Sequence, residues 1–211
     1  ITEQEQRARL EFETREMEAS IEKSGRLLGD PALDAYLQSI VDRLFPEAIG
    51  KLRVRAYRDP EFNAFAVATG NLYVNTGALL CMRDEAELAS VLGHEGGHVL
   101  GDHMYRGTVN AKTLGTLGTL LSAGITLAIG FDPALGAIAA YSSMAGFSRD
   151  YEREADRTGY ERSVRAGYEP RAGARVFGRM AQEVQDRKIK QPPFFFASHP
   201  ALVERVKNIE E

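Results

Sequence analysis

The chain has 211 residues, 44% of them hydrophobic and 27% charged, with a formal net charge of −4. That is length for one substantial core and a composition ordinary for a globular protein; it excludes a disordered polyelectrolyte and gives no basic surplus for a nucleic-acid partner. Cys81 stands alone, so no internal disulfide braces the fold, and among apolar neighbours it reads as a small core side chain. The opening at Ile1, without methionine, reads as a processed or trimmed form; no signal peptide is visible, and because one can be removed by processing its absence is uninformative.

Residues 1–28 open with a stretch dense in Glu, Arg and Gln, with Leu10, Met17 and Ile21 as apolar points and Phe12 beside them. This predicts a polar helix with a narrow buried stripe, lying across the domain or against another chain. Asp30 as N-cap and Pro31 at the first helical position start a second helix, whose apolar face is Leu33, Leu37, Ile40, Val41 and Leu44. Leu52 to Tyr57 alternates as a half-buried strand. Phe62 to Ala68, a turn at Thr69-Gly70-Asn71, and Leu72 to Asn75 read as a hairpin. An exposed edge of it, drawn from Asn63, Ala64, Phe65, Ala66, Leu72, Tyr73 and Val74, would take an extended peptide by strand addition. A purely structural hairpin is the alternative.

Val91 to Leu100 reads Val-Leu-Gly-His-Glu-Gly-Gly-His-Val-Leu. His94 and His98 are four residues apart, so on a helix their rings stack on one face and can converge on one metal ion. Glu95 between them is placed to take a proton from metal-bound water, as in zinc hydrolases. The competing explanation is a surface helix carrying the pattern by chance. Apolar flanks (Leu88, Val91, Leu92, Val99, Leu100) and a capping-box start at Asp84 and Glu87 argue against it. Gly93, Gly97 and Gly101 form a stripe at i, i+4 and i+8 that invites close approach of another element, although each glycine costs about 1 kcal/mol in a helix interior. Gly96 lies off that stripe and has no explanation from sequence.

No charge occurs from Thr113 to Phe131, and after Asp132 none until Arg149. The first run approaches the roughly 20 residues of a bilayer crossing, but its threonines and glycines make it weakly apolar. A neutral helical hairpin over residues 113–148, buried or touching a membrane peripherally, is the expectation. A polar helix follows, on which Glu152 and Asp156 share a face and Glu154 points elsewhere. A lone acidic pair is usually a solvated face; beside a two-histidine motif, Glu152 can supply the third ligand and Asp156 can orient a histidine. Ala172, Val176, Met180 and Val184 mark another helix. Then come Pro192-Pro193, a Phe194-Phe195-Phe196 loop expected to pack into a cleft, His199-Pro200, and a final amphipathic helix through Val203, Val206 and Ile209. No linker composition interrupts the chain, which reads as one domain over residues 1–211.

A metzincin would carry a third histidine at position 104, where this chain has Met104; His103 misses by one and sits about 140° around a helix from His98. That leaves His103 as a surface residue or a support behind a ligand. The ordered set Asn63-Ala64-Phe65-Ala66, Asn75-Thr76-Gly77, His94 to His98, Glu152-x-x-Ala155-Asp156, Ser198-His199-Pro200 and Arg205 resembles the gluzincin zinc metallopeptidase family that includes the CAAX prenyl endopeptidase, the HtpX proteases and periplasmic BepA-like proteases. The resemblance covers roughly residues 30–209. It implies an α+β, mainly α-helical, zincin-like domain with a small sheet beside the motif helix. It also implies one zinc ion per chain held by His94, His98 and Glu152, with Glu95 as catalytic base and Asp156 behind the ligands. In BepA-like relatives a loop histidine can fill the open metal position and hold the enzyme shut, with an arginine pairing nearby; here those are His199 and Arg205. Alternatively His199, or Tyr151, stabilises the oxyanion. The expected function is an endopeptidase acting on unfolded or misassembled proteins, periplasmic or membrane-associated, with a closed metal-containing binding module as the alternative. Gly96 and the lack of membrane helices or a helical-repeat region in these residues depart from the larger relatives.

Overall fold

The structure is a computed structural model that describes residues 2–110, 148–186 and His199. Expectations for the neutral 113–147 segment, the Phe194–Phe196 loop, Arg205 and the final helix lie outside the described residues.

The elements are α1 (Glu3–Lys23), α2 (Pro31–Leu44), β1 (Arg53–Tyr57), β2 (Ala64–Ala66), β3 (Asn71–Asn75), α3 (Thr76–Cys81), α4 (Glu85–Leu100), α5 (His103–Asn110), α6 (Arg149–Arg165) and α7 (Ala172–Asp186). Local chemistry places the helix starts: Thr2 and Glu5 form a capping box for α1, and the Asp30 carboxylate accepts from the Ala32 and Leu33 N–H groups ahead of α2. Ser148 accepts from the Tyr151 N–H at the head of α6.

The sheet order is β1-β3-β2, with β1 parallel and β2 antiparallel to β3. The expected hairpin is β2–β3, but β3 is the central strand. Leu72, Tyr73 and Val74 therefore have partners on both sides and offer no edge; among the described residues the hairpin's outer strand is β2, and its residues are buried where an exposed edge was expected. Side-chain alternation divides the core. Ala64, Ala66, Leu72 and Val74 meet Leu37, Val41, Leu88 and Leu92 of α2 and α4, while Phe65 and Tyr73 stack at 5.0 Å under Leu10, Met17 and Ile21 of α1. The first helix thus lies across the domain. Its Glu18 accepts from Thr69 Oγ1 at 2.8 Å and Asn71 Nδ2 at 2.5 Å, tying it to the hairpin turn.

The motif helix α4 starts as its sequence suggests, with Asp84 accepting from the Glu87 N–H at 2.9 Å. The reciprocal half differs: Glu87 accepts from the Arg83 N–H at 2.9 Å instead of the cap residue's own. Glu87 is fully buried and also takes Arg179 of α7 at 2.6 and 2.7 Å. Gly96 now has a reason, since a Cβ there would lie 2.4 Å from the Phe45 ring. Cys81 corrects the sequence reading. It is exposed, because the short α3 docks through Gly77 and Ala78 and turns Leu80 and Cys81 outward.

Burial pushes the Glu87 carboxyl up, but the Arg179 pair and the Arg83 N–H outweigh it and hold it below the usual carboxylate range. Glu87→Gln should cost about 2 kcal/mol, less than the roughly 3–5 of a fully buried pair because the guanidiniums keep contact with water. Its pKa being lower folded than unfolded (about 4.3 unfolded), the contribution is complete above that value and drains as pH falls through the folded one. Urea unfolding of parent and variant should differ by a constant amount from pH 7 to 5 and converge in stronger acid.

Candidate metal centre

The site forms where α4 crosses α6. Gly93 of α4 faces Gly159 of α6, and Gly97 faces Ala155: Cβ atoms built on Gly93 and Gly97 would lie 3.2 Å from the Gly159 Cα and 3.0 Å from the Ala155 carbonyl oxygen. The glycine stripe read from sequence is this contact over its first two members. The approach brings Glu152 of α6 to the two histidines of α4, and all three side chains, with Glu95, are about 1% exposed.

His199 completes the group. His98 Nε2 and His94 Nε2 are 3.0 Å apart, His94 Nε2 and His199 Nδ1 3.2 Å, His199 Nδ1 and Glu152 Oε1 3.0 Å, and His98 Nε2 and Glu152 Oε1 3.3 Å. A tetrahedron with zinc–nitrogen bonds of about 2.0–2.1 Å has edges of about 3.3 Å; four of the six donor separations lie near that length, His94 Nε2 lies 3.7 Å from the other Glu152 oxygen, and all the ligand atoms fall within 4.8 Å of one another. The donor chemistry agrees. His94 Nδ1 lies 3.0 Å from Asp156, so its proton belongs there and its Nε2 presents a lone pair toward the other donors. Lone pairs and a carboxylate converging in a buried space repel one another unless a cation joins them. Residues and site fit zinc.

The electrostatics follow from burial. It pushes the His98 imidazole well below its ordinary value, toward the neutral form a ligand needs. For Glu152 burial opposes ionisation, but His199, His98 and His94 outweigh it and hold the carboxyl well below the usual range. Glu95 stands outside the donor group with its Oε1 3.4 Å from His199 Nε2, so His199 presents one nitrogen to the donors and the other to the glutamate.

Three residues lie behind the donors. His103 is fully buried, with Nδ1 2.9 Å from His98 Nδ1. Of the two places that spacing left open it takes the one behind a ligand: α4 stops at Leu100 and Asp102, at φ 54°, turns the chain back, so the helical angle between positions 98 and 103 does not apply. Tyr151 stacks on His103 at 4.8 Å, on the side of His98 away from the donors, and so does not occupy an oxyanion position. Phe177 of α7, unnoticed as a site residue, meets the His94 ring edge-on at 6.2 Å. Asp156 lies at His94 Nδ1, Glu154 bonds Arg106 and lies 3.2 Å from His103, and β2, carrying Ala64, Phe65 and Ala66, packs against α4.

A two-histidine motif helix whose carboxylate partner arrives on a separate helix is the gluzincin form of a metallopeptidase site. Residues 31–211 match the model of peptidase family M48, and the chain belongs to that family. It is 31% identical over 196 residues to a putative beta-barrel assembly-enhancing protease of Vibrio cholerae, covering 88% of this chain and 40% of the relative. It is also 31% identical over 160 residues to the metalloprotease LoiP of Escherichia coli (74% and 61%), and 26% identical over 211 residues to the mitochondrial metalloendopeptidase OMA1 of Schizosaccharomyces pombe (96% and 61%). The chain thus spans about two fifths of the length of its assembly-enhancing relatives.

A Cβ at Gly159 would lie 2.8 Å from the His94 nitrogen and 2.9 Å from the Gly93 carbonyl carbon, both backbone atoms that cannot swing aside. Helix propensity alone predicts that Gly159→Ala stabilises by about 1 kcal/mol; overpacking predicts a loss of about 1–3 kcal/mol. We expect the loss, measured by urea unfolding in chelator, together with reduced zinc content.

Proposed function

We propose that this chain is a zinc-dependent endopeptidase whose site is closed at rest by His199. The observation that carries the reading is the buried set of His94, His98, Glu152 and His199, whose ligand atoms all lie within 4.8 Å of one another. Zinc, when bound, supplies a Lewis acid for the scissile carbonyl and lowers the pKa of its water to about 7. Glu95 accepts the proton of the attacking water on its carboxylate and returns it to the leaving amine. Asp156 holds His94 by accepting from Nδ1, which keeps Nε2 directed at the donors. The outer strand β2, at Asn63 to Ala66, aligns an extended substrate by main-chain hydrogen bonds once its buried edge is uncovered.

Substrates are unfolded or misassembled protein segments, since strand addition reads main chain and requires an extended stretch. Envelope quality control, in the periplasm or at a membrane surface, is the setting the assembly-enhancing relatives suggest. No described helix is long and apolar enough to cross a membrane. Glu95→Gln should retain zinc and lose cleavage of casein by at least about 100-fold, the scale of a general base; undiminished cleavage would overturn the assignment.

A second reading, a binding module with a closed metal site, draws on the same His199 geometry. With His199 in the fourth corner the substrate carbonyl and water have no place, so the loop must leave before turnover. His199→Ala should therefore cleave faster than the parent. A slower variant would make His199 a transition-state stabiliser, and zinc-loaded protein inactive with and without His199 would favour the binding module.

A further inference from the structure

We infer that His103, Glu154 and Arg106 form a polar relay, hydrogen-bonded at His98 and ion-paired at Glu154, that sets the tautomer and ring orientation of His98, which makes His103 a positioning residue of the metal centre. The inference rests on the zinc reading above and adds a part that the ligand motif does not contain. His103 Nδ1 lies 2.9 Å from His98 Nδ1, and His103 Nε2 lies 3.2 Å from Glu154 Oε2. Arg106 Nη1 meets both oxygens of Glu154, at 3.2 and 3.0 Å. The ring is clamped as well as bonded. Tyr151 stacks on it with an 11° tilt, and the Arg106 guanidinium lies 4.6 Å from the Tyr151 ring centroid.

The corner between α4 and α5 exists in a form that admits this ring. A Cβ on Gly101 would lie 2.3 Å from His103 Nε2, so the third glycine of the stripe makes room for an imidazole and not for a helix. Asp102, whose left-handed backbone turns the chain back, is held by Arg7 of α1 at 2.7 Å, and Arg7 in turn covers the Tyr105 ring at 3.7 Å.

The sense of the relay is dictated by its end. Ionised Glu154 only accepts, so the His103 proton sits on Nε2 and its Nδ1 offers a lone pair. His98 must then donate from Nδ1, which leaves its Nε2 free to bind metal. His94 reaches the same state through Asp156 directly. The two ligand histidines are therefore oriented by different devices, one by a carboxylate and one by a carboxylate acting through a second imidazole.

The test compares His103→Leu, similar in size but unable to bond, with His103→Gln, whose carbonyl accepts and whose amide donates. Zinc affinity is measured by competition with a chromophoric chelator, and the site geometry by the visible absorption of the cobalt(II)-substituted protein. We expect His103→Leu to bind zinc about 10–100-fold more weakly with an altered cobalt spectrum, and His103→Gln to recover most of both, while metal-free melting temperatures stay together. Parental affinity in His103→Leu, or equal weakness in His103→Gln with an intact metal-free fold, would overturn the relay. If His103→Leu fails to fold, Glu154→Ala leaves the ring in place and should still weaken zinc binding; unchanged affinity there would overturn it equally. A parent protein that binds neither metal would instead bring down the zinc reading itself.

Discussion

The close crossing of α4 and α6 is the contact on which the centre depends. Gly93 and Gly159 meet without intervening side chains, and only at that separation does Glu152 reach the histidines of α4. A helix with three glycines in its last three turns gives up about 1 kcal/mol for each relative to alanine. The offset comes from packing, since α4 touches α2, β2, β3, α5, α6 and α7 and is buried along most of its length. Stability is thus exchanged for the geometry of a site.

Around that crossing, each donor is held by a different part of the fold. Asp156 rides on the same helix as Glu152 and so arrives with it, one turn on, at His94. His98 faces the α4–α5 corner, where α1 reaches over through Arg7 to Asp102 and Tyr105. The polar first helix is therefore part of what surrounds the site and not merely a lid on the sheet. On the other side, α7 is fastened to the head of α4 by Arg179 on Glu87, and it sets Phe177 against His94. Buried ionic groups of this kind contribute less to net stability than to holding one arrangement.

His199 gives the centre its chemical ambiguity. Three imidazoles and a carboxylate would together saturate a zinc ion in the manner of a structural site, whereas hydrolysis needs an open position. The same ring faces Glu95 with its second nitrogen, so in this state both the metal position and the base are covered by one side chain.

Residue spacing was enough to put His94 and His98 on one helix face and Glu152 and Asp156 on another, because the 3.6-residue period ties sequence separation to a helix face. Caps at Asp30 and Asp84 and the hairpin turn were legible for the same reason: their chemistry is local. What separates the rest is distance along the chain. Gly96 acquires meaning only from the Phe45 ring, and the strand order that makes β3 central and leaves β2 the edge depends on β1 pairing across the hairpin. For His103 spacing left two places open, on the surface or behind a ligand, and the backbone turn at Asp102 puts it behind His98. The arrival of His199 among donors some hundred residues away was suggested by family resemblance and located only in the fold. Sequence by itself determined which side chains share a face; tertiary structure alone decided which faces meet, because close approach depends on the volumes of residues far apart in the chain.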